Sequence, residues 1–316
     1  MAHTNLAGLS LRDLEYAVAV GELRHFGRAA ERCGVSQSAL SEQVRKLEGL
    51  LGCPLFERTK RRVEPTPEGS RLLRQAEEVL RGARALLDAA RLEAEPLSGE
   101  LRIGVIPTLG PYYVPAMLRT MRERFPRLRL QLQEAATQAL LDQLRHGELD
   151  LLLLALPTGG EGLLAEPLFF EPFMLACPAT HPLAGATPAR VRDLPGEELL
   201  LLEEGHCLRD QALSLCRAGH LDRHARQATS LEMLRHMVGA GEGYSLLPAL
   251  ATGHGDMGGL VAYRKLAEPA AGRRIGLVWR RSAPRESEFR LIAAHLRQHL
   301  PAAVRPCGEA DQPSAA

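Results

Sequence analysis

From Glu100 onward the chain repeats one pattern, a short apolar run followed by an amphipathic helix. Leu101–Ile106 reads as a buried strand, Pro111–Phe125 as a helix and Arg129–Glu134 as a strand. Thr137–His146 follows as a helix, and Leu149–Leu156 as a strand almost without polar residues. This alternation constrains the fold more than any other feature. Strands separated by helices of this length argue βαβ units and a parallel sheet covered on both faces, hence an α/β fold class. The pattern continues through Phe173–Cys177, Leu199–Leu202, Thr229–Val238, Tyr244–Leu247, Ile275–Arg280 and Arg285–His299. Pro301–Ala316 is small, polar and Pro-containing, the composition of a disordered tail. Ligands in such folds bind outside the carboxyl ends of strands, near helix N-termini. Thr108 follows the first strand, Thr137 is an expected helix N-cap, and Thr229 with Glu232 is an expected capping box. For each threonine, capping alone is a sufficient explanation.

The N-terminal third is different. Ser10 and Asp13 form a capping-box pattern. The helix behind it carries Leu11, Leu14 and Val18 on one face and is expected to end at Gly21. A second helix turns Phe26, Ala29, Ala30 and Cys33 inward, and Gly34 supplies a turn. Ser36 is the expected N-cap of a third helix with Leu40, Val44, Leu47 and Leu51 inward. Two short helices joined by a Gly-containing turn make a helix-turn-helix, whose second helix enters the major groove. Its outer face offers Ser36, Gln37, Ser38, Ser41 and Arg45, short donors and acceptors plus a cation. Arg58, Lys60, Arg61 and Arg62 then put four cations in five residues between β-formers, as a wing over a phosphate backbone would. Taken alone, the charge run favours a solvated loop. Leu72, Ala76, Val79, Ala83, Leu86 and Ala90 alternate steps of four and three, an a/d seam that calls for a partner helix. Pro96, Ser98 and Gly99 form a hinge.

The chemistry-bearing stretch is Glu204–Gln211, with Cys216 beyond it. A neighbouring imidazolium, a guanidinium and a helix N-terminus all favour a thiolate. Cys207 has His206 beside it and Arg209 two positions on, and Gly205 reads as the break before a helix through Leu215. Nine residues along one helix separate two Cα atoms by roughly 13–14 Å, whereas a disulfide needs them within about 7 Å. A bond between the two thiols would therefore require unwinding. Two unrelated core cysteines are the plainer alternative, and spacing alone leaves both open.

Formal net charge is only +1, so bulk charge does not announce a nucleic-acid partner and local clusters must. The six cysteines lack the spacing of a disulfide scaffold or a zinc site. Metal binding by His220, His224 and His236 is not expected, and no cofactor is. Cys53 is a turn residue without an assigned role, Cys177 and Cys307 are bystanders, and His254 lies in a Gly-rich loop, Gly253–Gly259. No signal peptide or membrane-length run is evident, which points to a cytoplasmic protein with no membrane partner.

Wording adds to this. Phe26-Gly27-Arg28-Ala29-Ala30, Val35–Ser41, Lys46-Leu47-Glu48, Leu55–Arg58 and Thr66-Pro67-Glu68-Gly69 resemble, in order and spacing, the DNA-binding domain of LysR-type transcriptional regulators. Gly205–Ala212 with Cys216, Ile103–Pro111, Glu134–Leu141, Thr229–Glu232 and Leu246–Leu250 resemble the hydrogen-peroxide-sensing members of that family, so the similarity spans about 9–299. The resemblance implies a winged helix-turn-helix at 1–66, a linker (dimerisation) helix at 67–95, a hinge at 96–99 and an effector domain at 100–305 with a periplasmic-binding-protein-like fold. Its two α/β subdomains would be about 100–170 with 273–305, and about 171–272, joined by two crossover strands, with a tail at 306–316. It further implies that Cys207 is the peroxide-reactive cysteine and Cys216 the resolving one. Thr108, Thr137, His206, Arg209 and Asp210 would be the pocket residues. Implied partners are double-stranded DNA, hydrogen peroxide, RNA polymerase, a cellular dithiol reductant and further copies of the chain in a dimer of dimers. Two rival readings are a regulator of this family answering to a bound metabolite, and a thiol peroxidase, against which the N-terminal helices argue.

Overall fold

The structure, a computed structural model, describes residues 8–58, 63–94, 97–158, 160–185, 188–216, 226–253 and 258–308, with backbone alone at 58, 85, 88–94 and 216. Contacts divide the chain into two units, Met1–Arg91 and Leu92–Ala316.

In the first unit, α1 (Leu11–Leu23) opens on the expected capping box, with Asp13 N donating to Ser10 Oγ at 3.2 Å and Ser10 N to Asp13 Oδ2 at 3.2 Å. It does not stop at Gly21. A Cβ there would lie 3.0 Å from Leu73 Cδ1, so the glycine marks a close approach inside the helix, and Arg24 in the left-handed region (φ 49°) ends it. The second helix, α2 (Phe26–Cys33), is capped by His25, whose Nδ1 accepts from Gly27 N at 3.0 Å and Arg28 N at 3.2 Å. The third, α3 (Gln37–Leu51), has Ser36 at its N-cap as expected. Leu40, Val44 and Leu47 are buried in one cluster with Leu14, Ala17, Val20, Leu55 and Phe56. Leu11 and Leu51, expected inward, are exposed.

A two-stranded antiparallel ribbon follows, β1 (Phe56–Arg58) against β2 (Val63–Pro65). Glu48 ties it to α3 by accepting from Leu55 N at 2.9 Å and Phe56 N at 3.3 Å. Thr66 Oγ1 donates to Pro54 O and accepts from Gly69 N, and a Cβ on Gly69 would collide with Leu55 O. The Thr-Pro-Glu-Gly wording is thus a steric requirement of the turn into α4 (Pro67–Ala94).

The second unit carries one seven-stranded sheet. Its strands are β3 (Gly99–Val105), β4 (Leu128–Glu134), β5 (Leu151–Leu156), β6 (Leu163–Pro178), β9 (Ser245–Pro248), β10 (Val261–Lys265) and β11 (Gly272–Arg280). They are ordered β10-β6-β11-β5-β3-β4, with β9 also on β6. The all-parallel expectation fails. Only β3 pairs in parallel here, with β4 and β5, while β11 runs antiparallel between β5 and β6. The reason is topological: β11 returns from the far half of the unit and slots between strands laid down earlier. Sixteen-residue β6 serves both halves, its first part pairing β11 and its last part β9 and β10. A separate parallel pair joins β7 (Leu201–Leu202) and β8 (Gln227–Ala228). The helices are α5 (Gly110–Arg124), α6 (Thr137–His146), α7 (Cys207–Cys216), α8 (Leu231–Gly239), α9 (Ala249–Thr252) and α10 (Glu286–Gln298).

Three further expectations are corrected. Thr137 is the first residue of α6 and Ala136 the cap, without a side-chain bond. Ser230, not Thr229, caps α8, which starts at Leu231, and accepts from Met233 N at 3.2 Å; Glu232 instead accepts from Tyr112 and Arg235. Pro301–Arg305 is ordered: Arg305 exchanges backbone bonds with Phe170 at 2.8 and 3.0 Å and stacks on its ring at 4.1 Å. Of the tail, 306–308 are described and 309–316 lie outside the described residues.

Candidate functional site

Gly205 sits at φ 97°, a conformation that only glycine adopts without strain, and turns the chain from β7 into α7. Cys207 is the first residue of that helix and Cys216 the last. The expected geometry is therefore present. At about 1.5 Å per residue the two Cα atoms stand roughly 13–14 Å apart, beyond the reach of a disulfide while the helix is intact. The half-buried Cys207 packs against the main core, and Leu208 and Ala212 are buried in it. His206 and Arg209 are half-buried, and Asp210 is exposed. Arg209 Nη1 donates to Leu202 O at 3.0 Å, tying the first turn back to β7.

Thr108 is buried just beyond the carboxyl end of β3. Its Oγ1 accepts from Arg273 Nη1 at 2.7 Å and its carbonyl from Arg273 Nη2 at 2.9 Å. Arg273 Nε in turn donates to Glu171 Oε2 at 2.8 Å, and both charged side chains are fully buried. Thr137 is half-buried. Among the described residues, no hydrogen bond joins Thr108 or Thr137 to residues 206–210. Those two groups hold their places separately.

On the first unit, Ser36, Gln37, Ser38 and Arg45 are exposed along one face of α3 and Ser41 is half-buried. Arg45 Nη2 approaches Ser41 Oγ at 3.4 Å, and Ser36 and Ser38 hydroxyls lie 3.1 Å apart. Lys60, Arg61 and Arg62 lie outside the described residues, as does the side chain of Arg58. On α4, Leu73, Ala76 and Leu80 face the unit's own core. Leu72 and Ala83 are half-buried, whereas Val79 (50% exposed) and Leu86 (72%) face outward. The side chain of Ala90 is outside the described set. Among the described residues, these outward apolar side chains are the part of the seam left uncovered.

The sequence matches two family descriptions, a bacterial regulatory helix-turn-helix protein of the lysR family at residues 11–70 and a LysR substrate binding domain at 94–301. It is 45% identical to the DNA-binding transcriptional dual regulator OxyR of Escherichia coli over 92% of this chain and 96% of that one. It is 46% identical to a hydrogen peroxide-inducible genes activator of Dickeya chrysanthemi over 92% and 96%. This chain belongs to the LysR family. A full-length cysteine-to-aspartate OxyR variant from Pseudomonas aeruginosa superposes with a TM-score of 0.77 at 38% identity, covering 96% of this chain and 99% of that one. A hydrogen-peroxide-bound cysteine-to-serine OxyR from Corynebacterium glutamicum gives 0.62 at 36%, covering 92% of each.

As a LysR-family effector unit, the second unit contains polar groups that sequence reading passed over. Glu171 and Arg273 are one set. Another is Tyr112 on α5, which donates to Glu232 Oε1 at 2.7 Å while Arg235 Nη1 donates to the same oxygen at 2.9 Å. Burial and this carboxylate push the Tyr112 pKa up. For Glu232 burial acts upward, but the bonds from Tyr112 and Arg235 outweigh it and its pKa falls. Partners 102 and 120 residues apart leave no local spacing to read. Among the described residues no group of three or more His, Cys, Asp or Glu could hold a metal, and no helix is long and apolar enough to cross a membrane. His220, His224 and His254 lie outside them. Half-buried Cys33 packs on the first core, half-buried Cys53 follows α3, and Cys177 is buried, its pKa raised by burial.

Proposed function

We propose that this LysR-family chain is a DNA-binding transcriptional regulator of the oxidative-stress response, switched when hydrogen peroxide oxidises Cys207. The observation that carries the reading is the placement of Cys207 and Cys216 at opposite ends of α7. At that helix N-terminus an anion is favoured. The thiolate attacks one peroxide oxygen, the O–O bond breaks, and Cys207 sulfenic acid and hydroxide result. The Cys216 thiol then displaces the sulfenic oxygen as water and the S–S bond forms, which requires α7 to unwind. A cellular dithiol reverses the bond by thiolate attack. Thr108, Thr137, His206, Arg209 and Asp210 are assigned to hold the peroxide or orient the thiol.

The same reading assigns Gln37, Ser38, Ser41 and Arg45 to base edges and nearby phosphates, with Ser36 beside them. Arg58, Lys60, Arg61 and Arg62 go to the phosphate backbone. Of the seam, Ala76 is taken up by the unit's own core, and Leu72, Val79, Ala83, Leu86 and Ala90 pair two copies; two pairs make a dimer of dimers on promoter DNA, and the output is RNA polymerase recruitment in the cytoplasm. The names of the relatives support the peroxide assignment, and the outward Val79 and Leu86 support the pairing. The test is to add peroxide to the purified protein and follow the 207–216 bond by mass spectrometry together with the DNA footprint. Bond and footprint should change together, with about one peroxide consumed per protomer before turnover stops without reductant. A footprint that shifts with no such bond would leave a bound metabolite as the better reading, and continued turnover would favour a peroxidase.

A further inference from the structure

The buried Glu171–Arg273 pair has no role in the scheme above. The two residues face each other across β6 and β11, the strands that serve both halves of the unit. Isolated charges this deep are strongly disfavoured, and an ion pair there is often no more stable than an apolar replacement. Its geometry suggests a different task. Three N–H groups of one planar guanidinium are committed: Nε to Glu171, Nη1 to the Thr108 hydroxyl and Nη2 to the Thr108 carbonyl. The second Glu171 oxygen accepts from Leu250 N at 3.0 Å, so the carboxylate is fixed from both sides and cannot swing.

The consequence falls on Thr108. A hydroxyl has one hydrogen and two lone pairs. Arg273 occupies a lone pair through a charge-assisted bond, which also polarises the O–H. Among the described residues nothing accepts the hydrogen. Thr108 is therefore presented to a ligand as a donor. A peroxide oxygen is an acceptor, and the oxygen that leaves on thiolate attack develops negative charge that a fixed donor stabilises.

We propose that Glu171 is a positioning residue for the peroxide reaction, acting through Arg273 to hold the Thr108 hydroxyl as a hydrogen-bond donor to peroxide. This rests on the reading of Cys207 as the reactive thiol with Thr108 beside its substrate. The experiment uses the full chain and two reagents for the same thiol. Hydrogen peroxide needs the donor, whereas iodoacetamide does not. Glu171→Gln should slow Cys207 oxidation about 10–100-fold, the range for loosening a group that orients another, with alkylation unchanged. Thr108→Val should show the same selective loss, and Thr108→Ser should restore the wild-type rate. In the Thr108→Val background Glu171→Gln should add nothing, because both changes remove one interaction. Equal slowing of both reagents by Glu171→Gln, or effects that add in full, would overturn the inference. Should a thermal melt show Glu171→Gln unfolded, Glu171→Asp decides instead, because it keeps the charge but draws the carboxylate back from Arg273 Nε: selective slowing of the peroxide reaction supports the inference and a wild-type peroxide rate overturns it. A wild-type Cys207 untouched by peroxide would overturn the functional reading itself, and this inference with it.

Discussion

Helices α3 and α7 each start at a motif, yet they are built for opposite ends. Fifteen-residue α3 has a serine cap, a left-handed Gly52 (φ 74°) at its end, and Leu40, Val44 and Leu47 driven into a core. Glu48 ties its last turn to the following strand. Ten-residue α7 keeps only Leu208 and Ala212 fully buried, with Leu213 and Leu215 partly so and one side-chain tether from Arg209. A helix shorter than about 12–15 residues is marginal without tertiary packing. Fully burying one leucine contributes about 1.5–3 kcal/mol. Among the described residues α7 thus has one large fully buried side chain, Leu208, with partly buried Leu213 and Leu215 beside it, whereas α3 is anchored at both ends and along its face. A recognition surface must keep its shape, and a switch must be able to lose it.

The largest expected effects test the switch. Cys207→Ser should abolish the peroxide response while DNA binding by the reduced protein persists. Cys216→Ser should leave a reactive Cys207 that stalls as sulfenic acid or is capped by another thiol, a changed response rather than none. In the wild type, oxidation should lower amide hydrogen-exchange protection across residues 205–216 and leave α3 as it was. Retained protection in α7 after the 207–216 bond is verified would break the contrast.

Next comes the same substitution in both helices. Leu40→Ala should cost the first unit about 2–5 kcal/mol, read from its thermal transition, because a core with α1 and α2 packed against α3 cannot collapse onto the void. Leu208→Ala should lower stability too, but it should also accelerate 207–216 bond formation, since it removes what holds α7 closed. A loss of about 1–2 kcal/mol confined to the closed state corresponds to a roughly 5–30-fold rise in the open population. An unchanged or slower rate would mean that opening does not limit bond formation, or that Leu208 also orders the reactive turn.

The legibility of the two regions in the sequence differed for a physical reason. Helix α3 was readable because its determinants are local: a cap and an i, i+4, i+7 stripe. The start of α7 was readable for the same reason, from Gly205 and the residues behind it. Local pattern failed wherever a distant partner decided. Gly21 reads as a helix end by itself, but it lies in mid-helix in close approach to Leu73, a partner far along the chain. Glu232 fitted a capping box by spacing, but Tyr112 from α5 claims its carboxylate. Arg305 looked like tail until Phe170 paired with it. The apolar runs announced strands but not their direction, because burial on both faces is equally compatible with β11 running against its neighbours. Among the polar groups around Thr108, the threonine was visible as the residue after a strand, while Glu171 and Arg273 were not.

The smallest expected effect separates two roles in one residue. Ser36 Oγ accepts from Ala39 N at 3.2 Å, and the same hydroxyl is exposed on the face assigned to DNA. Removing a serine cap costs about 0.5–2 kcal/mol when alanine replaces it and only a few tenths when glycine does. Ser36→Ala should therefore lower the melting temperature of the first unit by several degrees, a shift of about 4–8 °C per kcal/mol for a unit of this size. Ser36→Gly should barely move it, and Ser36→Thr should keep the cap. None of the three should alter the rate at which peroxide oxidises Cys207. DNA affinity then discriminates. If Ser36 matters only through the helix, affinity should follow stability and Gly should bind nearly as well as Ser. If the hydroxyl itself meets a phosphate or base edge, Ala and Gly should weaken binding alike and Thr should restore it, because only Thr keeps both the cap and the oxygen.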